Sequence, residues 1–529
     1  MILLQQVSYT HPDKELLFSN IDLSVGGQEK VALIGNNGVG KSTLLKILAG
    51  ELFPFSGTVK VDSKPYYLPQ IFGQFDHLTI AQALGIENKL RALKGILDGE
   101  VTQNNLDVLD EDWGVEQRCE EALHHWEMEK VGLWQKLGSL SGGQKTRVFL
   151  TGISIHNPRC ILLDEPSNHL DVAGRALLYG FIQSTNSNLV VVSHDRKLLN
   201  LVDTIFEMST GGIKTYGGNY DFYLEQKESE HKALAHHIED KEKALRKAKE
   251  KQRESRERQQ KLDSRGRGKK VKAGVARIMM NTLRNKAENT SSKLQKVHDE
   301  KFDGISKDLQ DLRSGLPDRD QMKFGFDHSD LHKGKVMFKL SWVNVNFDDK
   351  PLWKNSLGFQ ITSGERIALK GANGSGKTTL INLLLGNLEP DSGELYRSQN
   401  KFVYIDQDYS LLDNRLQVYQ QAQEFNTNGL LEHEVKIRLT RFLFAQHEWD
   451  KSVSVLSGGE RMRLLICCLS MAQIAPDIIV LDEPTNNLDL QNLEILTTAI
   501  KDYQGTLIVV SHDETFLEQI GVGRVIALD

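Results

Sequence analysis

Cysteine is scarce in this chain and nowhere spaced to bind a metal. Cys119, Cys160, Cys467 and Cys468 are the only four in 529 residues, and they argue for a reducing compartment. Long apolar runs are missing as well: none approaches the roughly 18–20 residues that a membrane helix requires. The opening Met1-Ile-Leu-Leu-Gln-Gln-Val7 has neither a basic n-region nor a cleavage site and reads as a first strand. The expected setting is the cytoplasm, with no membrane partner. Glycine and proline are absent from residues 227–262. What remains, 39% hydrophobic and 26% charged residues, is ordinary for a soluble globular protein. At about 150 residues per domain the length implies three or four units.

The net charge of −6 hides an asymmetry. Residues 227–315 hold 25 Lys/Arg against 15 Asp/Glu, a balance of +10 that leaves −16 for the rest. Between Lys241 and Lys286 the count is sharper, 18 basic against 5 acidic. One segment is built to meet a polyanion while its flanks are not.

Two glycine-rich loops carry the chemistry. Gly35, Asn36, Asn37, Gly38, Val39, Gly40, Lys41, Ser42 and Thr43 form the first. Gly371, Ala372, Asn373, Gly374, Ser375, Gly376, Lys377, Thr378 and Thr379 repeat it 336 positions later. Each follows an apolar β-like run (Lys30–Ile34, Arg366–Lys370) and opens a helical one, the context a phosphate-binding loop needs. Glycines let backbone N–H groups wrap phosphates, and the helix N-terminus adds partial positive charge. Lys41 and Lys377 would reach the β- and γ-phosphates of ATP; Ser42 and Thr378 would hold Mg²⁺. A chance glycine-rich turn could explain one isolated match, but two in the same context point to a duplicated nucleotide-binding unit.

Further motifs follow each loop in the same order. Gln70 and Gln407 end Tyr-Leu-Pro-Gln and Tyr-Ile-Asp-Gln, placed to touch Mg²⁺ and the attacking water. Ser141, Gly142, Gly143 and Gln144, then Ser457, Gly458, Gly459 and Glu460, each open a helix and offer a second anion site, aimed at the γ-phosphate held by the opposite unit. Those helices carry Arg147, or Arg461 and Arg463, and Cys467 and Cys468 read as core residues of the second. Apolar strands end in Asp164-Glu165 and Asp482-Glu483. The aspartates would close the Mg²⁺ shell and the glutamates would orient and polarise the hydrolytic water, which suits phosphoryl transfer. Asn168-His-Leu-Asp171 and Asn486-Asn-Leu-Asp489 read as links across a closed interface. His194 and His512, at strand ends, would contact the γ-phosphate. A lone histidine there is more often a packed or capping residue; its place in a twice-repeated order favours the functional reading.

The repeats are not in perfect register. Asp164 to Asp482 and His194 to His512 differ by 318, and the first unit spans 71 positions from Gln70 to Ser141 where the second spans 50 from Gln407 to Ser457. The extra residues fall within Glu87–Gln135, as a short surface arm or a longer helical subdomain. Between the units, residues 227–262 are rich in helix formers. Asp263-Ser-Arg-Gly-Arg-Gly-Lys-Lys-Val-Lys-Ala-Gly274 predicts a break, and a second helix is predicted from near Val275 to Leu312, with Ile278, Met279, Met280 and Leu283 as an apolar patch. The simplest shape is an antiparallel helical hairpin with a basic turn.

This motif order resembles that of the ATP-binding-cassette ATPases. Two cassettes, no membrane domain, the Asn-His-Leu-Asp and Asn-Asn-Leu-Asp loops and an interdomain hairpin of about one hundred residues resemble the ABC-F class in particular. The resemblance covers essentially the whole chain. It implies an α/β fold of two P-loop domains, 1–221 and 336–529, joined by a basic helical linker, 222–335, and an ATPase using ATP and Mg²⁺. It further implies a monomer whose cassettes pair intramolecularly and which enters the ribosomal exit site when closed on ATP. The linker would then point at P-site tRNA and the peptidyl-transferase centre, contacting rRNA, and hydrolysis would release the protein. Arg265, Arg267, Lys269, Lys270 and Lys272 would form the RNA-binding tip, with affinity that falls as salt rises.

The chain departs from the family pattern in places. A prominent arm is short or absent, no extension is expected after the second cassette, and the base-stacking aromatic is Tyr9 or His11 in the first half and Phe347 in the second. The implied function is a ribosome-associated factor that regulates elongation, rescues stalled ribosomes or protects against ribosome-targeting antibiotics. The soluble tandem ATPase of an importer is the alternative, against which the basic linker speaks. A DNA-repair ATPase would carry a long coiled coil within one cassette or zinc-binding cysteines.

Overall fold

In a computed structural model of the chain, the described residues are 1–11, 16–209, 211–270, 302, 304–309, 312, 334–347, 350–472 and 476–528, with the backbone alone at 255, 256, 259, 260 and 262–270. The chain divides into two compact units, one of Met1–Asp221 with Gln321–Asp529 and one of Phe222–Asp320.

The first unit holds the same architecture twice. Short apolar runs such as Val31–Ile34, Ile161–Leu163 and Leu189–Val192 are buried along their length, as strands of a covered parallel sheet must be. Their order is Tyr66–Leu68, Cys160–Asp164, Asn188–Val192, Lys30–Ile34, Thr204–Ser209, with Gly212–Tyr216 added antiparallel at the edge. The second cassette repeats it with Phe402–Ile405, Ile478–Asp482, Thr506–Val510, Arg366–Lys370 and Arg524–Ala527, all parallel. In this order the strand ending at the histidine lies between the strand ending in the acid pair and the strand entering the glycine-rich loop. The carboxyl ends of neighbouring parallel strands therefore gather the motifs at one edge, where open α/β sheets bind their ligands.

Each cassette adds a three-stranded antiparallel sheet, ordered Leu16–Val25, Ile2–Thr10, Ser56–Val61 in the first and Leu357–Thr362, Val336–Asn344, Ser392–Arg397 in the second. Ile2–Val7 is thus part of a strand, as expected. The core of the first cassette joins Ile2, Leu4 and Phe18 to Leu44, Leu48 and Val190, and the second matches it with Met337, Leu340, Trp353, Leu380, Leu384 and Ile508. Each such side chain contributes about 1.5–3 kcal/mol on burial. Cys467 and Cys468 are fully buried in the helical layer of the second cassette. The extra residues of the first cassette fall in the helices Glu87–Leu97 and Gln103–Leu109, ahead of Val115–His125, whose counterpart in the second cassette is Glu432–Arg441. Their Leu90, Leu93, Leu109, Cys119 and Leu123 are buried, so the insertion thickens the helical subdomain.

In the second unit a helix runs Tyr220–Lys270, and residues 304–309 are helical. Lys241 Nζ lies 2.7 Å from Asp308 Oδ2, and Lys249 Nζ sits 5.3 Å from the centre of the Phe302 ring. Rising numbers on one segment meet falling numbers on the other, so the two run antiparallel. Over 263–270, the described part of the break predicted for Asp263–Gly274, the backbone stays helical through Gly266 and Gly268, and Arg265, Arg267, Lys269 and Lys270 continue the helix; residues 271–274 lie outside the described residues. A glycine costs a helix only about 1 kcal/mol relative to alanine, which a helix already many turns long absorbs because nucleation has been met. Gly304, the other predicted break, is helical too. Lys272 and the Ile278, Met279, Met280, Leu283 patch lie outside the described residues.

Candidate active sites

Each glycine-rich loop leaves its strand through a glycine where a side chain would clash with backbone. A Cβ on Gly35 would lie 2.3 Å from the Met208 carbonyl oxygen, and one on Gly371 would lie 2.6 Å from that of Leu528. The loops enter their helices, Lys41–Ala49 and Lys377–Leu385, through Gly40 and Gly376 at φ 101° and 87°, where side chains are disfavoured. Lys41 Nζ donates to the carbonyls of Gly35 (2.6 Å) and Asn36 (3.1 Å). Lys377 Nζ donates to those of Gly371 (2.8 Å) and Ala372 (3.0 Å). Both ammoniums are thereby held at the rim of the loop. Burial lowers the pKa of Lys41, opposed by Glu165, then Asp489 and Asp164; burial lowers that of Lys377, opposed by Glu483, then Asp482 and Asp171. One aspartate in each set belongs to the opposite cassette.

The acid pairs sit at the ends of Cys160–Asp164 and Ile478–Asp482. Ser42 Oγ donates to Asp164 Oδ1 (3.1 Å). Burial raises the pKa of both aspartates, and hydrogen bonds, from Ser42 and Tyr67 at Asp164 and from Tyr404 at Asp482, pull it back. Glu165 and Glu483 follow with left-handed backbones, φ 50° and 49°. Their N–H groups donate to the Val192 and Val510 carbonyls at 2.9 and 2.8 Å. A non-glycine residue there costs on the order of 1–3 kcal/mol and persists when its surroundings hold it. The strain turns each carboxylate toward a histidine: His194 Nε2 is 3.4 Å from Glu165 Oε1, and His512 Nε2 is 3.3 Å from Glu483 Oε1. Burial pushes Glu165 up to about 8 and Glu483 up to about 7. It pushes His194 well below the usual imidazole value and His512 down to about 4. Both histidines are therefore neutral at pH 7.

Among the described residues, Glu165 Oε1, both ring nitrogens of His194, Glu483 Oε2 and Ser375 Oγ are buried without a hydrogen-bond partner. Such atoms cost about 1–3 kcal/mol each unless satisfied, so they suit a polar guest. Ser42 and Asp164, hard oxygen donors in contact, suit Mg²⁺. Gln70 and Gln407 follow strands paired in parallel with the acid-bearing ones, which puts them beside the same edge.

Contacts between the cassettes complete the arrangement. Asn37 N–H donates to Asp489 Oδ2 and Asn37 Nδ2 to the Asn487 carbonyl, both at 2.9 Å. In the reciprocal direction Asn373 Nδ2 donates to the His169 carbonyl at 3.1 Å. His169 and Asn487 both have left-handed backbones, φ 64° and 59°. Asp171 and Asp489 also cap the helices Val172–Ser184 and Leu490–Asp502. A Cβ on Gly143 would lie 3.2 Å from Asn373 Nδ2, so the Ser141–Gln144 turn abuts the second glycine-rich loop. Ser141 and Ser457 cap their helices reciprocally with Gln144 and Glu460. Ser457 Oγ also donates to Glu460 Oε2 (2.7 Å).

The predicted arginines serve their own cassettes: Arg147 pairs with Glu127 and Asp171, Arg461 donates to the Leu456 carbonyl, and Arg463 donates to the Phe442 carbonyl. Phe347 is 55% exposed, and the Tyr9 and His11 rings meet edge to face at 5.8 Å. Two sets of residues were missed. Tyr67 and Tyr404 donate to Asp164 Oδ2 (3.4 Å) and Asp482 Oδ2 (3.0 Å); their shared place three residues before Gln70 and Gln407 was the signal. Arg175, 3.5 Å from Asp195, lines a cleft between the cassettes with Glu165, His194, Asn486 and Leu493; nothing in its sequence surroundings marks it.

The sequence pattern of the ABC transporter family matches residues 18–168 and 354–486, together more than half of the chain. The chain is 32% identical over 541 residues to an ATP-binding protein of Bacillus subtilis, YdiF, covering 97% of this chain and 78% of that one. It is 32% identical to ABC transporter F family member 5 of Arabidopsis thaliana (95% and 71% covered) and 29% identical to the energy-dependent translational throttle protein EttA of Escherichia coli (98% and 90% covered). An archaeal ribosome recycling factor, aABCE1, solved with the ribosomal stalk protein aP1, shares the fold at TM-score 0.59 and 20% identity over 99% of this chain and 87% of that one. Among the described residues no helix is long and apolar enough to cross a membrane. The chain belongs to the ATP-binding-cassette family, to its F class, and is an ATP-binding ATPase.

Proposed function

We propose that the chain is a translation factor of the cytoplasm that binds ribosomes when its cassettes close on two ATP molecules and leaves when they are hydrolysed. The observation that carries this reading is the reciprocal bonding of each glycine-rich loop to the Asn-x-Leu-Asp loop of the other cassette. An ATP in either loop would lie between both halves, so its γ-phosphate would report closure to each.

Lys41 and Lys377 bind the β- and γ-phosphates. Ser42, Gln70 and Asp164, with Thr378, Gln407 and Asp482, would hold Mg²⁺, which would offset the negative charge of the phosphates. Glu165 and Glu483, once ionised, accept a proton from the attacking water. The neutral His194 and His512 donate a ring N–H to the γ-phosphate. Ser141–Gln144 and Ser457–Glu460 contact that phosphate from the opposite cassette. Phe347 stacks on the adenine of the second site.

The basic linker supplies the RNA contact, through Arg265, Arg267, Lys269, Lys270 and Lys272 among others, and would approach P-site tRNA and the peptidyl-transferase centre. The resemblance to a protein named a translational throttle supports this reading, as does the +10 balance of residues 227–315. Regulation of elongation, rescue of stalled ribosomes and protection against antibiotics are the roles it fits.

Sedimentation tests it. The Glu165→Gln, Glu483→Gln double variant with ATP should co-pellet with ribosomes, and neutralising the five basic residues should abolish pelleting while ATPase activity stays within about twofold. A double variant that ignores ribosomes at low salt would refute the proposal.

A further inference from the structure

The two glycine-rich loops rest on different aromatic residues. Behind the first, Leu17 and Phe18 come within 2.9 and 2.8 Å of where a Cβ on Gly40 would stand. Behind the second, Leu352 and the Trp353 indole nitrogen occupy the same places, 2.6 and 2.9 Å from a Cβ on Gly376. The packing is equivalent, but the chemistry is not. Trp353, 1% exposed, donates its indole N–H to the Ser375 carbonyl at 2.9 Å. Phe18 has no donor to offer.

The tryptophan is itself pinned. Asn344, buried, donates from Nδ2 to the Trp353 carbonyl (2.7 Å), and its Oδ1 accepts from the N–H groups of Trp353 (3.2 Å) and Val345 (2.9 Å). In the first cassette the matching position is Ser8, which accepts from Asn20 N–H at 3.1 Å. A hydrogen-bonded relay thus runs from the strand Val336–Asn344 through Trp353 to the loop in the second cassette.

A trans peptide is planar, so its C=O and N–H point in opposite directions. Fixing the Ser375 carbonyl toward the indole fixes the Gly376 N–H toward the other side, where a phosphate would sit. A loop already held in its binding geometry loses less freedom when the ligand arrives. We propose that Trp353 is a positioning residue that pre-orders the second phosphate loop and makes the second ATP site the tighter of the two. The inference rests on residues 371–379 being the phosphate cradle.

The test uses the full chain and titration with a non-hydrolysable ATP analogue plus Mg²⁺. In a Lys41→Ala background, which leaves the second site, Trp353→Phe should weaken binding about tenfold, the size expected when a loop must be ordered on binding that was ordered beforehand. In a Lys377→Ala background the same substitution should change nothing. Phe18→Trp in that second background should tighten the first site, a gain that a merely space-filling role would not produce. Affinities within twofold of the parent for Trp353→Phe in the Lys41→Ala background would overturn the inference. Undiminished binding by the Lys41→Ala, Lys377→Ala double variant would instead overturn the reading of the loops, and the inference with it.

Discussion

Burial pushes Glu165 up to about 8 and Glu483 up to about 7, although both leave equivalent strand ends, share a left-handed backbone and face a histidine at nearly the same distance. Burial raises both. The opposition to it comes from different places: Lys41 of its own loop leads at Glu165, whereas Arg175, from the other cassette, leads at Glu483. At the 318-residue repeat, the counterpart of Arg175 is Leu493, and both line the same cleft. At the two glutamates, therefore, the opposing cation comes from across the interface only at Glu483. The phosphate loops differ in the same spirit, with Phe18 and Val39 in the first where Trp353 and Ser375 stand in the second. Duplication has kept the backbone and the reacting groups, and divergence has worked on the side chains around them. Sites that look alike as motifs differ in the cations that oppose burial at their glutamates and in the hydrogen bonds behind their loops.

The largest expected effect tests whether that difference stops at tuning. Lys41→Ala and Lys377→Ala should each lower the ATPase rate by about 10²-fold, the scale for removing a group that stabilises transition-state charge. Equal losses mean that neither site fires alone, as the shared contacts of Asn37 with Asp489 and Asn373 with His169 imply. Steady-state phosphate release by the two variants measures this. Half the wild-type rate in either one would show independent sites and break the coupling.

A smaller effect sharpens the comparison of the glutamates. Both carboxyls are held above their ordinary 4.5, so the native protein keeps a proton that the unfolded chain releases. Stability from this source is full below about pH 4.5 and is lost as the pH rises, to about 8 at Glu165 and about 7 at Glu483. His194 and His512 act at the other end, withdrawing stability as the pH falls below their ordinary 6.5. Glutamine has no proton to lose. Glu165→Gln should gain on wild type across its window, reaching on the order of a few kcal/mol near pH 8.5, and Glu483→Gln should gain less. Denaturant melts of nucleotide-free protein at acid and alkaline pH measure both. Parallel pH profiles for wild type and Glu165→Gln would contradict the raised carboxyl.

Much of the site was legible because its residues recur in order. Asp164, Glu165 and His194 reappear 318 positions on, and strand-ending acids and histidines in a parallel sheet must share an edge. Tyr67 and Tyr404 escaped notice because a tyrosine in a short strand looks like ordinary strand composition; only the fold brings its hydroxyl to the aspartate. Trp353 lies 22 residues from Ser375, joined by packing that no local pattern announces. Arg175 faces a glutamate of the other cassette, a relation that exists only once the halves are paired. The fold was readable in its strands and less so in the linker. There Gly266 and Gly268 suggested a turn, yet the backbone of Tyr220–Lys270 stays helical, because an established helix tolerates an isolated weak former.

The subtlest expectation concerns Arg175. If its charge is what separates the two glutamates, Arg175→Leu should raise the pKa of Glu483 toward that of Glu165, because a buried carboxylate loses the cation that most opposes its burial. Hydrolysis needs the ionised form, so the ascending limb of the pH–rate profile should move to higher pH. The rate should fall a few-fold near pH 6.5 and be unchanged near pH 9, where the carboxyl is ionised in either protein. Arg175→Lys, which keeps a cation at that place, should move the limb less. A uniform loss at every pH would mean that Arg175 matters through its contact with Asp195, 3.5 Å away, and supports its own cassette. A profile unchanged in both variants would leave the gap between the two carboxyls to burial alone, and the cation that reaches Glu483 from the other cassette would lose its functional consequence.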